Sequence, residues 1–397
     1  MKKYWLPAMA LGLLANYPAH AEVQINGFAS VVMGIDLEDD GNPTADYGGR
    51  TVDNLQESKV ALQWSADLGE GMRFVGQTMA RGDASDGYAL NYDWAYFDFN
   101  VGDSGKLKFG RVRIPFYKYS DYLDVGYAYH WISPPKSMYS LSFSNADGVS
   151  YLQNFSSGSL EHSLNLVVGR YQGTLRIGGE PSPGNLENLV AINWSGSVGN
   201  HEFYAAYAQA DVYIDAALLT TDQAALGNNS IADLAADSSD VLVDGDLGTF
   251  TGFGYKGSFG DMGLFAEYSI VKVADSILQD EATGAYLGMT YNMGNYIYHL
   301  TYEMEEDTPP TLQGSTALGN EPLTTGTLNA IARSLGNRSS EGEANTITIG
   351  ARRDIGNSSA VKIDISSYTE DRYQSSAATE KSEETALILK VAVETMF

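Results

Sequence analysis

The chain has 397 residues, no cysteine and a formal charge of −26 from 50 acidic and 24 basic side chains. That charge argues against a nucleic-acid partner, whose phosphates call for Lys and Arg. The missing cysteine excludes disulfide frameworks, thiolate sites and cysteine-held zinc.

Lys2 and Lys3 precede a short apolar core from Leu6 to Leu14, and Ala19-His20-Ala21 supplies a small-x-small cleavage pattern. Residues 1–21 therefore read as a secretory signal peptide, leaving 22–397 as the mature chain. Beyond it no apolar run reaches the about 18 residues that a spanning helix needs. Period-two alternation dominates instead. Val23, Ile25, Ala29, Val31 and Met33 share one face of the first segment, with Gln24, Asn26, Ser30 and Asp36 mostly on the other. Val60, Leu62 and Trp64 repeat the pattern against Lys59, Gln63 and Ser65, and Gly69-Glu70-Gly71 then turns the chain. Continued along the chain, the alternation predicts sixteen strands, near 23–36, 58–68, 72–81, 91–101, 106–111, 148–155, 160–170, 187–195, 201–210, 250–259, 264–272, 285–292, 296–303, 345–354, 360–368 and 385–397.

Tight turns fall at Gly69–Gly71, Gly102–Gly105, Ser156–Ser159, Gly196–Asn200, Gly260–Gly263, Met293–Asn295 and Ile355–Ser359. Long polar stretches occupy the other connections, the largest at 112–147, 211–249 and 304–344, with smaller ones near 37–57, 171–186, 273–284 and 369–384. A short helix would fit within 211–249. Short turns at one end and long loops at the other are the asymmetry of an all-β, antiparallel up-and-down transmembrane barrel. Only a closed barrel pairs every backbone group of such strands in lipid. Trp64, Tyr92, Trp94, Tyr96, Phe97, Phe99, Tyr204, Tyr207, Tyr291, Tyr296, Tyr298 and Tyr302 cluster near strand ends, as rings at the headgroup level do. The expected location is the outer membrane of a Gram-negative cell.

The last segment places Leu387, Leu389, Val391, Val393 and Phe397 on one face, assigned to lipid, and Lys390 and Glu394 on the other. An alternating strand closed by Phe397 resembles the assembly signal of outer-membrane proteins. With Val23-Gln24-Ile25-Asn26-Gly27-Phe28, Lys106-Leu107-Lys108-Phe109-Gly110-Arg111 and Asp147-Gly148-Val149-Ser150-Tyr151, the mature chain resembles the Gram-negative general porins. The resemblance implies sixteen strands, a homotrimer, and a third loop (about 112–147) folded into the pore. It implies passive diffusion of small hydrophilic solutes with no cofactor. Outer-membrane lipid with lipopolysaccharide and the barrel-assembly machinery are the implied partners. The Pro-Glu-Phe-Gly-type signature that some members carry in that loop is absent here.

Support for catalysis is thin. The histidines after the signal peptide, His130, His162, His201 and His299, have no metal-ligand spacing, and no Gly-x-Ser-x-Gly elbow occurs. For permeation, strand parity turns Lys59, Arg73, Arg352, Lys362, Asp364, Lys390 and Glu394 toward the lumen, subject to a register slip or bulge. Arg111, Arg113, Lys118, Asp121 and Asp124 form the sharpest group, among Tyr117, Tyr119, Tyr122, Tyr127 and Tyr129. In the porins it resembles, wall arginines face loop carboxylates at the narrowest point. Carried over, Arg111 and Arg113 would be wall cations, and Asp121 and Asp124 the opposing anions. The same charges also suit salt bridges pinning the loop. Arg111 has the parity of Leu107 and Phe109, so its role requires a bulge or an early strand end. The loop aromatics suit either packing or a track for sugars. The alternative functions are a selective channel for sugars or small anions, and an adhesin or receptor acting through 211–249 and 304–344.

Overall fold

The computed structural model describes residues 22–38, 47, 50–82, 87–177, 180–214, 243–274, 281–308, 317–318, 321–322, 342–372 and 381–397. Its strands are β1 (Val23–Asp36), β2 (Lys59–Gly69), β3 (Met72–Arg81), β4 (Leu90–Val101), β5 (Gly105–Arg113), β6 (Asn145–Ser157), β7 (Leu160–Ile177), β8 (Glu180–Val198) and β9 (His201–Ile214). They continue with β10 (Asp244–Phe259), β11 (Met262–Val273), β12 (Glu281–Met293) and β13 (Tyr296–Thr308). A two-residue hairpin, β14 (Ala317–Leu318) and β15 (Glu321–Pro322), stands apart before β16 (Gly342–Ile355), β17 (Ser359–Arg372) and β18 (Ser382–Met396). The other sixteen form one closed antiparallel barrel in which β18 pairs with β1.

Every strand expected from the alternation is present, because a barrel wall with lipid outside forces a strict two-residue period. Val31, Leu62, Ile349, Ile363, Leu287 and Val393 are 54%, 44%, 61%, 43%, 62% and 52% exposed on the outer surface. So much contiguous apolar exposure suits lipid rather than water. Three of the aromatics assigned to the headgroup level turn inward instead. Tyr204 is buried against the lumen loop, Tyr96 packs on the same core, and Trp94 stacks under Arg113.

One expected loop is strand. The stretch 171–186 belongs mostly to β7 and β8, which run past the rim as a hairpin paired from Tyr171↔Leu186 to Ile177↔Glu180. Register shifts between Gly169 and Tyr171, and between Glu187 and Val190, break the alternation there. Pro183 is tolerated because the pairing with β9 ends at Gly184↔Ile214, so the backbone beyond lies on an edge. The short helix expected within 211–249 and most of 304–344 lie outside the described residues.

Residues 114–144 leave the wall after β5 and run through the barrel interior. They contain two 3₁₀ turns, Ser120–Tyr122 and Gly126–Ala128. Val112, Ile114, Phe116, Tyr117, Tyr119, Tyr129, Trp131 and Met138 are buried in one cluster with inward residues of β7–β12 such as Val167, Ala206, Phe250 and Phe265. The Phe116–Phe250 ring centroids lie 5.0 Å apart and those of Trp131 and Phe265 also 5.0 Å. These aromatics pack the loop onto the wall.

Closure is tied at Gly27, whose N–H donates to the Phe397 carbonyl at 2.7 Å and whose carbonyl accepts the Phe397 N–H at 2.9 Å. A Cβ on Gly27 would stand 2.5 Å from the Phe397 ring and 2.9 Å from the Ala61 carbonyl oxygen. Gly27→Val is expected to displace that ring and destabilise the barrel by about 2 kcal/mol. The measurement is the temperature at which the folded band is lost on unheated gels and in circular dichroism.

Candidate functional site

Two neighbouring ion clusters hold the loop at its 3₁₀ turns. Asp124, just past the first 3₁₀ turn, receives Arg113 Nη2 at 3.0 Å and Arg81 Nη2 at 3.2 Å, with Lys59 Nζ at 3.9 Å. Arg81 also forks onto Asp93, at 3.3 and 3.2 Å. Three wall cations therefore face two carboxylates. Burial alone would raise the Asp124 carboxyl, but Arg113, Arg81 and Lys59 outweigh it and hold the group well below the usual carboxylate range. Arg113 further donates Nε to the Ser120 carbonyl at 2.8 Å.

Two residues further on, the second 3₁₀ turn sits on β16–β18, which adjoin β2 through β1. Lys362 Nζ donates to the Gly126 carbonyl at 2.7 Å and to the Trp131 carbonyl, and pairs with Glu394 at 2.5 Å. Arg352 Nη1 donates to the carbonyls of Tyr127 (2.6 Å) and Tyr129 (2.7 Å), under a cation–π contact with Tyr127 at 4.6 Å. Asp364 accepts the Ile132 N–H at 2.9 Å and contacts His299 Nε2 at 3.0 Å. A Cβ at Gly126 would lie 2.1 Å from Glu394 Oε1, so only glycine lets the loop descend this far. Lys362, Asp364 and Glu394 are 0%, 2% and 1% exposed. They point into the barrel, yet the loop covers them, so passing solutes do not meet them. Beside this seat, burial and the neighbouring His299 and Lys362 keep His130 far below its ordinary range, and therefore neutral.

Lys390 pairs with Glu57 of the β1–β2 connection at 3.3 Å, and Lys136 reaches the same carboxylate at 3.4 Å. Burial would raise the Glu57 carboxyl, but Lys390 and the Tyr47 hydroxyl bring it below its ordinary value. Lys118 joins neither cluster. Its Nζ meets Glu202 at 2.6 Å, and Lys256 approaches the same carboxylate at 3.9 Å. Together with Tyr122 they border a recess of about 1050 Å³ that opens toward the short-turn end. Arg73 meets Asp98 at 2.8 Å nearer that end, with Lys106 at 3.9 Å from the same acid. Asp121 is exposed on the 3₁₀ turn.

The constriction role expected of Arg111 is corrected. β5 keeps its alternation through Arg111, on the face of Phe109, which is 61% exposed. Its Nε pairs with Asp147 at 2.8 Å on the outer surface, where Asp147 shares the face of Val149. No bulge rotates Arg111 inward. Only Arg113, the last residue before the chain leaves the wall, reaches the lumen. The tyrosine track does not form along Tyr117, Tyr119 and Tyr129, which are 5%, 4% and 4% exposed.

Arg81, Asp93 and Glu57 were not singled out from sequence. Arg81 was within reach, since the parity that turns Arg73 inward continues to it along β3. Asp93 was not, because it lies at the register shift between Gln77 and Thr78 on β3 and their partners Trp94 and Tyr92.

The sequence profile of the Gram-negative porins matches residues 8–373. The chain belongs to the Gram-negative porin family. Among solved structures, this porin is similar to the outer-membrane channel DcaP of Acinetobacter baumannii (TM-score 0.60, 12% identity, covering 96% of this chain and 99% of that one). It is also similar to an anion-selective porin from Comamonas acidovorans (0.56, 14%, 95% and 100%) and to OmpT of Vibrio cholerae (0.55, 10%, 94% and 98%). At such identities the likeness establishes the fold. No curated protein sequence matches this porin.

The seat of the loop makes a direct prediction. Lys362→Met leaves Glu394 buried without its cation and is expected to cost this porin about 3–5 kcal/mol in thermal or denaturant unfolding. Lys362→Met/Glu394→Leu, which removes both charges, should recover much of that loss. A double variant no more stable than the single one would show that the pair does not act as a unit.

Proposed function

We propose that this porin lets small hydrophilic solutes diffuse across the outer membrane through a pore narrowed by residues 114–144, with a preference for anions. The observation that carries the preference is the balance of charge in the lumen clusters. Lys59, Arg81 and Arg113 outnumber Asp93 and Asp124, and Arg73 and Lys106 outnumber Asp98, while on the recess Lys118 and Lys256 are matched by Glu202 and Glu161. In a narrow passage with low-dielectric walls, local charges dominate selectivity over charges far from it. The overall −26 therefore does not decide ion preference. The anion-selective porin of similar fold supports this reading.

In this reading Arg113, Arg81 and Lys59 pin Asp124 beside the constriction and set its local charge, and Asp121 stands at its edge. Residues 1–21 direct export and are removed, and 22–397 form the barrel. Three copies assemble, as the Vibrio cholerae OmpT structure described as a trimer form does. No cofactor is required, and the family and fold are those of a channel rather than an enzyme. Lipopolysaccharide and the assembly machinery remain the proposed partners.

Reconstituted in a planar bilayer, the protein should give stable conductance steps. A reversal potential under a potassium chloride gradient should report chloride over potassium. Arg81→Ala combined with Lys118→Ala should lower that ratio several-fold. A cation-selective or silent protein would refute the proposal.

Acid gives a separate test. The depressed Asp124 carboxyl contributes stability that is present above the ordinary carboxylate range and is lost only as pH falls through its own lower value. Its ion pairs should therefore survive at about pH 4, where ordinary carboxylates begin to protonate. Asp124→Asn should raise conductance fluctuation at neutral pH and abolish the part of the stability loss seen below that point.

A further inference from the structure

A water-filled barrel needs a polar inner wall, yet the long-loop half of β7–β12 turns apolar side chains inward. Part of that surface is explained by the loop: Phe116 and Tyr117 meet Phe250 edge to face, with ring centroids 5.0 and 5.1 Å apart. Past those rings the loop does not fill the space. A cavity of about 180 Å³ remains between the returning limb of the loop and the wall, lined by Phe116, Phe143, Leu175, Leu189, Ala208 and Val212. Leu175, Leu189, Ala208 and Val212 are only 5%, 1%, 5% and 6% exposed, so the lining is sheltered. Ser140 and Ser142 are exposed at its edge, as are Gln209 and Lys272.

Packed cores keep few voids larger than a water molecule. A void lined by aliphatic and aromatic side chains offers water no partners, and an apolar cavity of about 150 Å³ stays dry and takes up benzene. We infer that this cavity is a binding site for a small neutral amphiphile, a single six-membered ring or its aliphatic equivalent carrying one hydroxyl. The ring enters between Phe143 and the β7–β9 wall, and the hydroxyl stays at the edge near Ser140 and Ser142. Among the described residues no ionic side chain is free at the lining, since Lys272 is paired with Glu281 at 2.9 Å, so charged solutes are excluded because burying an unpaired charge there is prohibitive. The site stands apart from both ion clusters and does not rest on the proposed anion preference.

The test uses 4-fluorobenzyl alcohol as probe and fluorine NMR on the full-length protein in detergent. Saturable broadening of the probe signal is expected with the native chain. Ala208→Leu, which fills the cavity, should weaken binding at least about tenfold, and Ala210→Leu on the same wall provides a second filled variant should the first not fold. Broadening that never saturates, or that persists unchanged in a folded filled variant, reflects partition into the micelle and would overturn the site. Bilayer conductance of the same variant is read separately, so loss of the site and loss of the channel are distinguished.

Discussion

The interior of this barrel is organised by two buried cations that donate to main-chain carbonyls. Arg352 and Lys362 hold residues 126–131 of the lumen loop against β16–β18. An irregular segment inside a barrel exposes carbonyls that no strand can pair, and burying them unsatisfied is costly. Supplying donors from the wall answers that need and fixes where the loop ends. Glu394 then neutralises Lys362 and Asp354 neutralises Arg352, and the Gly126 backbone fits because no side chain stands between it and Glu394. The adjoining residue Asp124 is held by Arg113, Arg81 and Lys59 together. What remains open is determined by these two anchors.

The two faces of the loop are seated by different physics. Toward β16–β18 and β2–β5 the contacts are ionic and directional, whereas toward β7–β12 they are mainly aromatic and aliphatic, with Lys118 on Glu202 and Tyr139 on Glu267 as the directional additions. Directional contacts specify position, and dispersion and apolar burial supply bulk stabilisation without fixing register. The combination explains how a segment of 3₁₀ turns and extended chain can be ordered inside a channel. It also places charges of the same residue types in two roles. Lys362 and Arg352 are covered and structural, while Arg73, Lys106 and Lys256 remain 47%, 45% and 42% exposed to solvent in the lumen.

Much of the wall was legible in the sequence because lipid on one side enforces a two-residue period. Parity alone puts Arg111 beside Phe109 and Lys362 opposite Ile363, and the structure has them so. It failed where a strand departs from that period: at Asp93, and in the β7–β8 hairpin with its paired register shifts. The resemblance to porins located the lumen loop but misassigned Arg111, since it carried over a role without the rotation that the role needs. What covers an inward side chain was illegible in principle. Alternation says that Lys362 faces in; it does not say that Gly126 will lie on it.

That last separation bears on how the molecule is made. Lys362 and Gly126 are 236 positions apart, and Arg352 and Tyr127 are 225. The loop leaves the chain between the fifth and sixth strands, but its seat is built from the final three. It cannot take that seat until those strands have formed, and contacts of such range carry a large cost in chain entropy. The narrow channel therefore reaches its final shape only when the last strands are in place.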